Sequence, residues 1–118
     1  MREAIRDLDR LLHMRECMDN IKEFVANKSF EDFVADKLLF YAVVKNIEII
    51  GEAAYMLTKE FCADHPETPW KDIINMRHVL VHGYYTTSKE FIWATVQHDL
   101  PILRPQVEKY ISEKEQHK

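Results

Sequence analysis

Two glycines and four prolines in 118 residues leave this chain short of turn formers, whereas an antiparallel sheet of that length would need a turn signal about every ten residues. The scarcity excludes an all-β reading and makes an all-α fold the expectation. Cysteine is scarce as well. Cys17 and Cys62 have neither a CxxC partner nor metal-ligand spacing, so they read as buried thiols rather than a disulfide or a zinc site. Positive charge is not in excess: 16 Lys and Arg against 20 Asp and Glu give a net charge of −4, which excludes a general field able to hold duplex DNA by its phosphates. The longest near-continuous apolar run, Leu38 to Val44, falls far short of the roughly 20 residues that span a bilayer. The start at Arg2-Glu3 is charged rather than leader-like, and the expectation is a cytoplasmic protein with no membrane partner.

What the chain does have is helical periodicity and, at 47% hydrophobic and 31% charged, the composition of one globular domain over residues 1–118. From Met1 to Val25 the apolar residues recur at three-and-four spacing, which predicts a long amphipathic first helix. Asn27-Lys28 break it, and Ser29 with Asp32 forms a capping-box pattern that restarts a short helix. A denser apolar pattern from about Ala35 to Phe61 predicts one central, buried helix. Gly51 within it costs about 1 kcal/mol relative to Ala, so it is expected to permit a close helix crossing. Thr68-Pro69 reads as an N-cap with proline at the first helical position, opening a helix from Trp70 that should end near Gly83 in a left-handed cap. Thr87 with Glu90 reads as a second capping box, and the helix it opens should be kinked or divided by Pro101 and Pro105. The result is a bundle of four to five mostly antiparallel helices.

The hydrophobic pattern fails in one informative place, Arg77-His78-Val79-Leu80-Val81-His82-Gly83-Tyr84. On an ideal helix Trp70, Ile73, Ile74, Leu80, Val81 and Tyr84 all lie within roughly 60° of Arg77, so a guanidinium occupies the middle of an apolar stripe. Burying it unpartnered is expensive, and it must meet a carboxylate, a carbonyl or a wet, open seam. Glu48 or Glu52 on the central helix is a candidate partner. His82 follows Arg77 by five residues, about 140° round the helix, so the two side chains diverge unless the helix ends at Val81 or a second copy contributes. Two such helices packed about a two-fold axis would bring paired Arg77 and His82 into one cleft. Imidazoles there could move protons while fixed positive charges stabilise a phosphorane-like transition state, the parts needed for metal-free RNA cleavage. Two other readings stand beside this one. Arg77 and His82 could be a satisfied ion pair and a capping histidine. Glu48, Glu52, His78 and His82, each pair four apart, could supply a di-metal site, although the usual Glu-x-x-His pairing is absent from the chain.

Arg77 to Tyr84 resembles the Arg-x-x-x-x-His-x-Tyr motif of HepT-like toxins, helical ribonucleases of the HEPN superfamily. Asn46 to Ala54 resembles that family's central-helix segment, His65-Pro66 with Pro69-Trp70 its entry to the motif helix, and Trp93 with Asp99-Leu100-Pro101 its last helix, so the likeness covers nearly the whole chain. The resemblance implies a homodimeric HEPN-type bundle and an RNA endonuclease toxin of a type VII toxin–antitoxin pair, requiring no cofactor. Its partner would be a minimal, MntA-like nucleotidyltransferase antitoxin. Arg77 and His82 would be catalytic, with His78, Glu48 and Glu52 supporting them. Tyr84 would receive AMP from the antitoxin, placing bulk and negative charge beside the site. Two positions depart from the family's pattern: His78 stands where Asn is common, and Lys45 where Arg is often found, which keeps the charge but loses a planar bidentate donor. The alternative is a non-catalytic subunit that binds nucleotide or presents a substrate to a nucleotidyltransferase; a purely structural dimerisation domain would leave Arg77 unexplained.

Overall fold

The opening apolar stripe forms α1 (Arg2–Val25), and Leu8, Leu11, Met14, Cys17, Met18 and Ile21 on it are buried. The computed structural model describes residues 2–83 and 88–116, with side chains from residue 6 onward. Tyr84, Tyr85 and Thr87 therefore lie outside the described residues. Asn27 closes α1 in the left-handed region, at φ 62°, and the Lys28 N–H donates to the Val25 carbonyl at 2.9 Å; a short polar side chain makes that conformation accessible to a non-glycine residue. The expected capping box is present before α2 (Phe30–Ala35). Ser29 Oγ accepts from the Asp32 N–H at 3.1 Å, and the Asp32 carboxylate accepts from the Ser29 N–H at 2.9 Å, which holds that carboxyl below its ordinary range.

The central helix, α3 (Lys37–Tyr55), starts where the Asp36 carboxylate accepts the Leu39 N–H at 3.0 Å. It packs against α1 on one side and α5 (Trp70–Gly83) on the other. Its apolar residues from Leu39 to Ala54 supply the middle of the core. It does not continue to Phe61 as the periodicity predicts. It stops at Tyr55, and α4 (Lys59–Asp64) begins afresh with Thr58 as N-cap, the hydroxyl accepting from the Phe61 N–H at 3.1 Å. The cause is remote in sequence. Buried Asp7 on α1 accepts from the Thr58 backbone N–H at 2.9 Å and from its hydroxyl at 2.8 Å, fixing Thr58 outside the helix.

Thr68 is also used differently from the expected cap. Its hydroxyl donates to Gln106 at 2.7 Å and shares a 2.5 Å bond with the Tyr110 hydroxyl, so it ties α5's entrance to α7 (Leu100–Gln116). Burial pushes the Tyr110 phenol above its ordinary value. Gly83 is the last residue of α5 and has no positive φ, so the expected left-handed cap is not found there. Ser88, one residue after the predicted Thr87, caps α6 (Lys89–Ala94) by accepting the Phe91 N–H at 3.0 Å. Between α6 and α7, Thr95–Asp99 forms a π-helical turn, in which the Leu100 N–H reaches back to Thr95. Pro101 has no N–H to continue the α pattern, so the expected division falls at this proline, whereas Pro105 is accommodated inside α7.

Among the described residues there is no strand, and the four long helices α1, α3, α5 and α7 form the predicted bundle, with α2, α4 and α6 as short additions. Arg15 and Arg104 join α1 to α7 through Glu108 and Asp19 at 2.9 to 3.0 Å. These pairs are partly solvated and contribute little individually. Both thiols are free; Cys17 is buried, which pushes it up to about 11, while Cys62 is only half-buried. Met14 and Met18 are buried in the core, whereas Met56 is exposed. No described helix is long and apolar enough to cross a membrane. Asp7→Ala should strand the Thr58 N–H and hydroxyl, lowering unfolding free energy by about 2–3 kcal/mol in denaturant titration; an unchanged midpoint would contradict its role in setting the α3–α4 break.

Candidate functional site

The site begins at a glycine. A methyl group placed on Gly51 of α3 would overlap Cβ of Arg77 on α5, and would lie 3.0 Å from the Ile73 carbonyl oxygen and 3.2 Å from Arg77 Cα. The two helix backbones therefore meet at Gly51, as the sequence predicts, and the residue filling the notch is Arg77 itself. The arginine is half-buried: its stem lies in the crossing. It has no ion-pair or hydrogen-bond partner among the described residues. Among the described residues no buried side-chain nitrogen lacks a partner, so the guanidinium must reach solvent, in the manner of long basic side chains whose stems are buried.

Neither expected carboxylate neutralises it. Glu48 is 4.0 Å from Lys45 on its own helix, and Glu52 is exposed. The ion pair considered for Arg77 is thus not made among the described residues. This leaves a fixed positive group open at the seam between α3 and α5.

His78 and His82 occupy successive turns of α5 and are both exposed, with ring centroids 4.6 Å apart. Because α5 runs unbroken to Gly83, the helical arithmetic holds: Arg77 turns toward α3 while His82 turns outward, and one chain does not bring the two together. Val79 and Val81, each about 40% exposed, stand between and beside the histidines. Only Trp70 and Leu80 of α5 are fully buried. The helix is pinned at its start, where Trp70 Nε1 donates to the His65 carbonyl at 2.9 Å. His65 stacks on Phe61 at 4.2 Å and meets Tyr110 at 4.5 Å. It is therefore a packed histidine that also caps the C-terminus of α4.

No three His, Cys, Asp or Glu side chains converge to hold a metal among the described residues, so Glu48, Glu52, His78 and His82 do not assemble a di-metal site in one chain. Beside the crossing, Ile47, Ile50, Ile73, Met76, Leu100 and Leu103 line an apolar groove of about 240 Å³ with Asp72 and Asp99 on it. A larger open hollow of about 670 Å³ between Asn27 and Leu38 likewise contains none of the candidate residues. The groove's carboxylates would repel phosphate. Sequence reasoning did not identify the groove, because its walls come from segments far apart in the chain.

The described residues form an all-α bundle, in keeping with a HEPN-type helical fold. The chain belongs to the HepT-like ribonuclease family, which matches residues 14–110. A probable ribonuclease HepT from Thermococcus cleftensis is 39% identical over 101 residues, covering 86% of this chain and 92% of the relative. Two further relatives are each named as a putative RNase. One, from Caldanaerobacter subterraneus subsp. tengcongensis, is 44% identical over 98 residues, covering 83% of this chain and 87% of the relative. The other, from Methanocaldococcus jannaschii, is 33% identical over 109 residues, covering 92% and 90%. No solved structure matches the chain.

Gly51→Ala should destabilise the fold despite alanine's better helix propensity, because the clash is with backbone and Cβ atoms that cannot rotate away. Overpacking of about 1–3 kcal/mol exceeds the gain of about 1 kcal/mol, so thermal unfolding should move to lower temperature. A rise in the midpoint would show that the crossing is looser than this.

Proposed function

We propose that this ribonuclease is the toxin of a type VII toxin–antitoxin pair, cleaving RNA without a metal at a site shared by two copies of the chain. The observation that carries the reading is Arg77, held at the Gly51 notch with no ion-pair partner among the described residues, five residues before an exposed His82 on an unbroken helix. A stability role does not account for an open guanidinium on a packed helix face, whereas a phosphate would complete it. Exposed Val79 and Val81 beside the histidines support a second copy packing there, since apolar surface around polar groups is the usual composition of such a contact.

In the shared cleft, a His82 imidazole takes the proton from a ribose 2′-hydroxyl, and that oxygen attacks the adjacent phosphorus. The 5′-oxygen leaves and receives a proton from the second imidazole of the pair in its protonated form. Arg77 guanidinium groups face the non-bridging oxygens as charge builds on them. The products are a 2′,3′-cyclic phosphate and a 5′-hydroxyl. His78, on the turn before His82, and Glu48 and Glu52 on α3 support the cleft. A minimal nucleotidyltransferase antitoxin transfers AMP from ATP to Tyr84, releasing pyrophosphate. The added phosphate repels RNA by its negative charge without unfolding the toxin.

Arg77→Ala and His82→Ala should each reduce RNA cleavage by about 10²–10⁴-fold and abolish growth inhibition on expression, with the fold kept as judged by circular dichroism; toxicity retained by both variants would refute the ribonuclease site. Chelator should leave the cleavage rate of the purified enzyme undiminished. Co-expression with a nucleotidyltransferase encoded beside it should add AMP on Tyr84 by intact mass and peptide mapping, and modification elsewhere would overturn the proposed switch.

A further inference from the structure

We infer that His78 and His82 form a surface chelate for a borderline transition-metal ion of the zinc or nickel class, and that its occupation silences the ribonuclease. The inference rests, for its effect on cleavage, on the role proposed for His82; the binding site itself does not depend on that role.

The geometry is that of a two-ligand helix site. Two histidines four residues apart point from successive turns of one helix face, the spacing by which helical histidine pairs grip zinc. Here the rings already lie 4.6 Å apart, centroid to centroid. Two imidazole nitrogens bound at 2.0–2.1 Å to one tetrahedral ion stand about 3.3 Å from each other, a separation these rings reach by turning about their own side-chain bonds. Both residues are exposed, and neither imidazole has a hydrogen-bond or ion-pair partner among the described residues. No protein contact has to be broken for the metal to bind. Imidazole suits zinc, nickel and copper and is a poor ligand for magnesium, which takes oxygen donors. Because fewer than three protein ligands converge here among the described residues, water must fill the remaining positions and binding is reversible rather than structural.

The consequence for the enzyme follows from the lone pair. An imidazole nitrogen that coordinates a metal cannot accept the proton of a ribose hydroxyl, so a bound ion removes the base directly. Its positive charge does not rescue cleavage, because the step that fails is the proton transfer. His78 thereby acquires a role that asparagine at the same position would not fill: an amide side chain is a weak ligand for this class of ion, and the chelate would fall to a single imidazole.

The test uses the full-length protein with zinc chloride and nickel chloride as probes and magnesium chloride as control. Isothermal titration and imidazole proton NMR should show saturable zinc and nickel binding that shifts both rings, and no response to magnesium. His78→Asn should weaken that binding about tenfold or more. Cleavage should be suppressed by zinc and restored by chelator, with each protein's rate expressed relative to its own metal-free rate. His78→Asn should require correspondingly more zinc for the same fractional loss. Equal zinc binding by the wild type and His78→Asn, or shifts confined to other histidines, would overturn the chelate. Binding at the pair without loss of cleavage would overturn the inhibition and also count against His82 as the base. A wild type that binds zinc at the pair but cleaves no RNA without it would support the chelate while refuting the proposed function.

Discussion

Everything distinctive about the molecule depends on the contact between Gly51 and Arg77. A side chain at position 51 would hold α3 and α5 apart; without one, the second helix drops into the first until an arginine stem fills the space. This decides how α5 is rotated. With Arg77 turned toward α3, the next turn must show His78 and His82 to solvent, because the helix does not break before Gly83. One glycine thus orients Arg77, His78 and His82. The energetic conflict of placing arginine on an apolar stripe is resolved without a carboxylate: the stem packs and the head stays wet. The resulting arrangement retains an unspent charge, which a paired arginine would not have.

The two ends of α5 are built for different purposes. At the start, Trp70, His65, Thr68, Gln106 and Tyr110 form a buried or half-buried network whose polar atoms are all satisfied. Such a network rigidifies its surroundings. The far end carries exposed valines and histidines and few core contacts. Rigid anchoring at one end and open chemistry at the other is a familiar division, since precise positioning comes from the packed scaffold and access from the solvated end. The π-helical turn at Thr95–Asp99 leads directly into α7 at Leu100, from which Gln106 and Tyr110 reach Thr68.

The local features of the fold were legible from spacing alone: the stripe of α1, the Ser29–Asp32 capping box, the centrality of α3, the close approach at Gly51 and the arginine that interrupts α5. What was not legible came from distant partners. The apolar pattern runs through Leu57 and Phe61 as if the helix continued, and only Asp7, on another helix, reveals why Thr58 ends it. Thr68 before Pro69 has the look of a cap, but its hydroxyl is taken by residues on α7. Local chemistry proposes uses for a polar side chain, and tertiary competition selects among them. The site followed the same rule. Arg77 stood out because it broke a pattern, but whether Glu48 or Glu52 would neutralise it could not be read from sequence, and Glu48 instead lies near Lys45.

The divergence of Arg77 and His82 is the strongest argument about how such a protein can work. Acid–base chemistry on a phosphodiester needs the base within hydrogen-bond reach of the nucleophile and the cation within reach of the same phosphate. Side chains about 140° apart on one rigid helix do not meet that condition unaided. Rotating His82 inward would bring it against α3 and lose its access to solvent; bending the helix would break hydrogen bonds that now run to Gly83. A second copy would solve the problem without disturbing either chain, were a two-fold axis to carry the outward face of one helix over the seam of the other. On this reading the monomer is a complete fold and half of an active site. Chemistry would then depend on protein concentration, and any group attached to the exposed face of α5 would act on both copies at once.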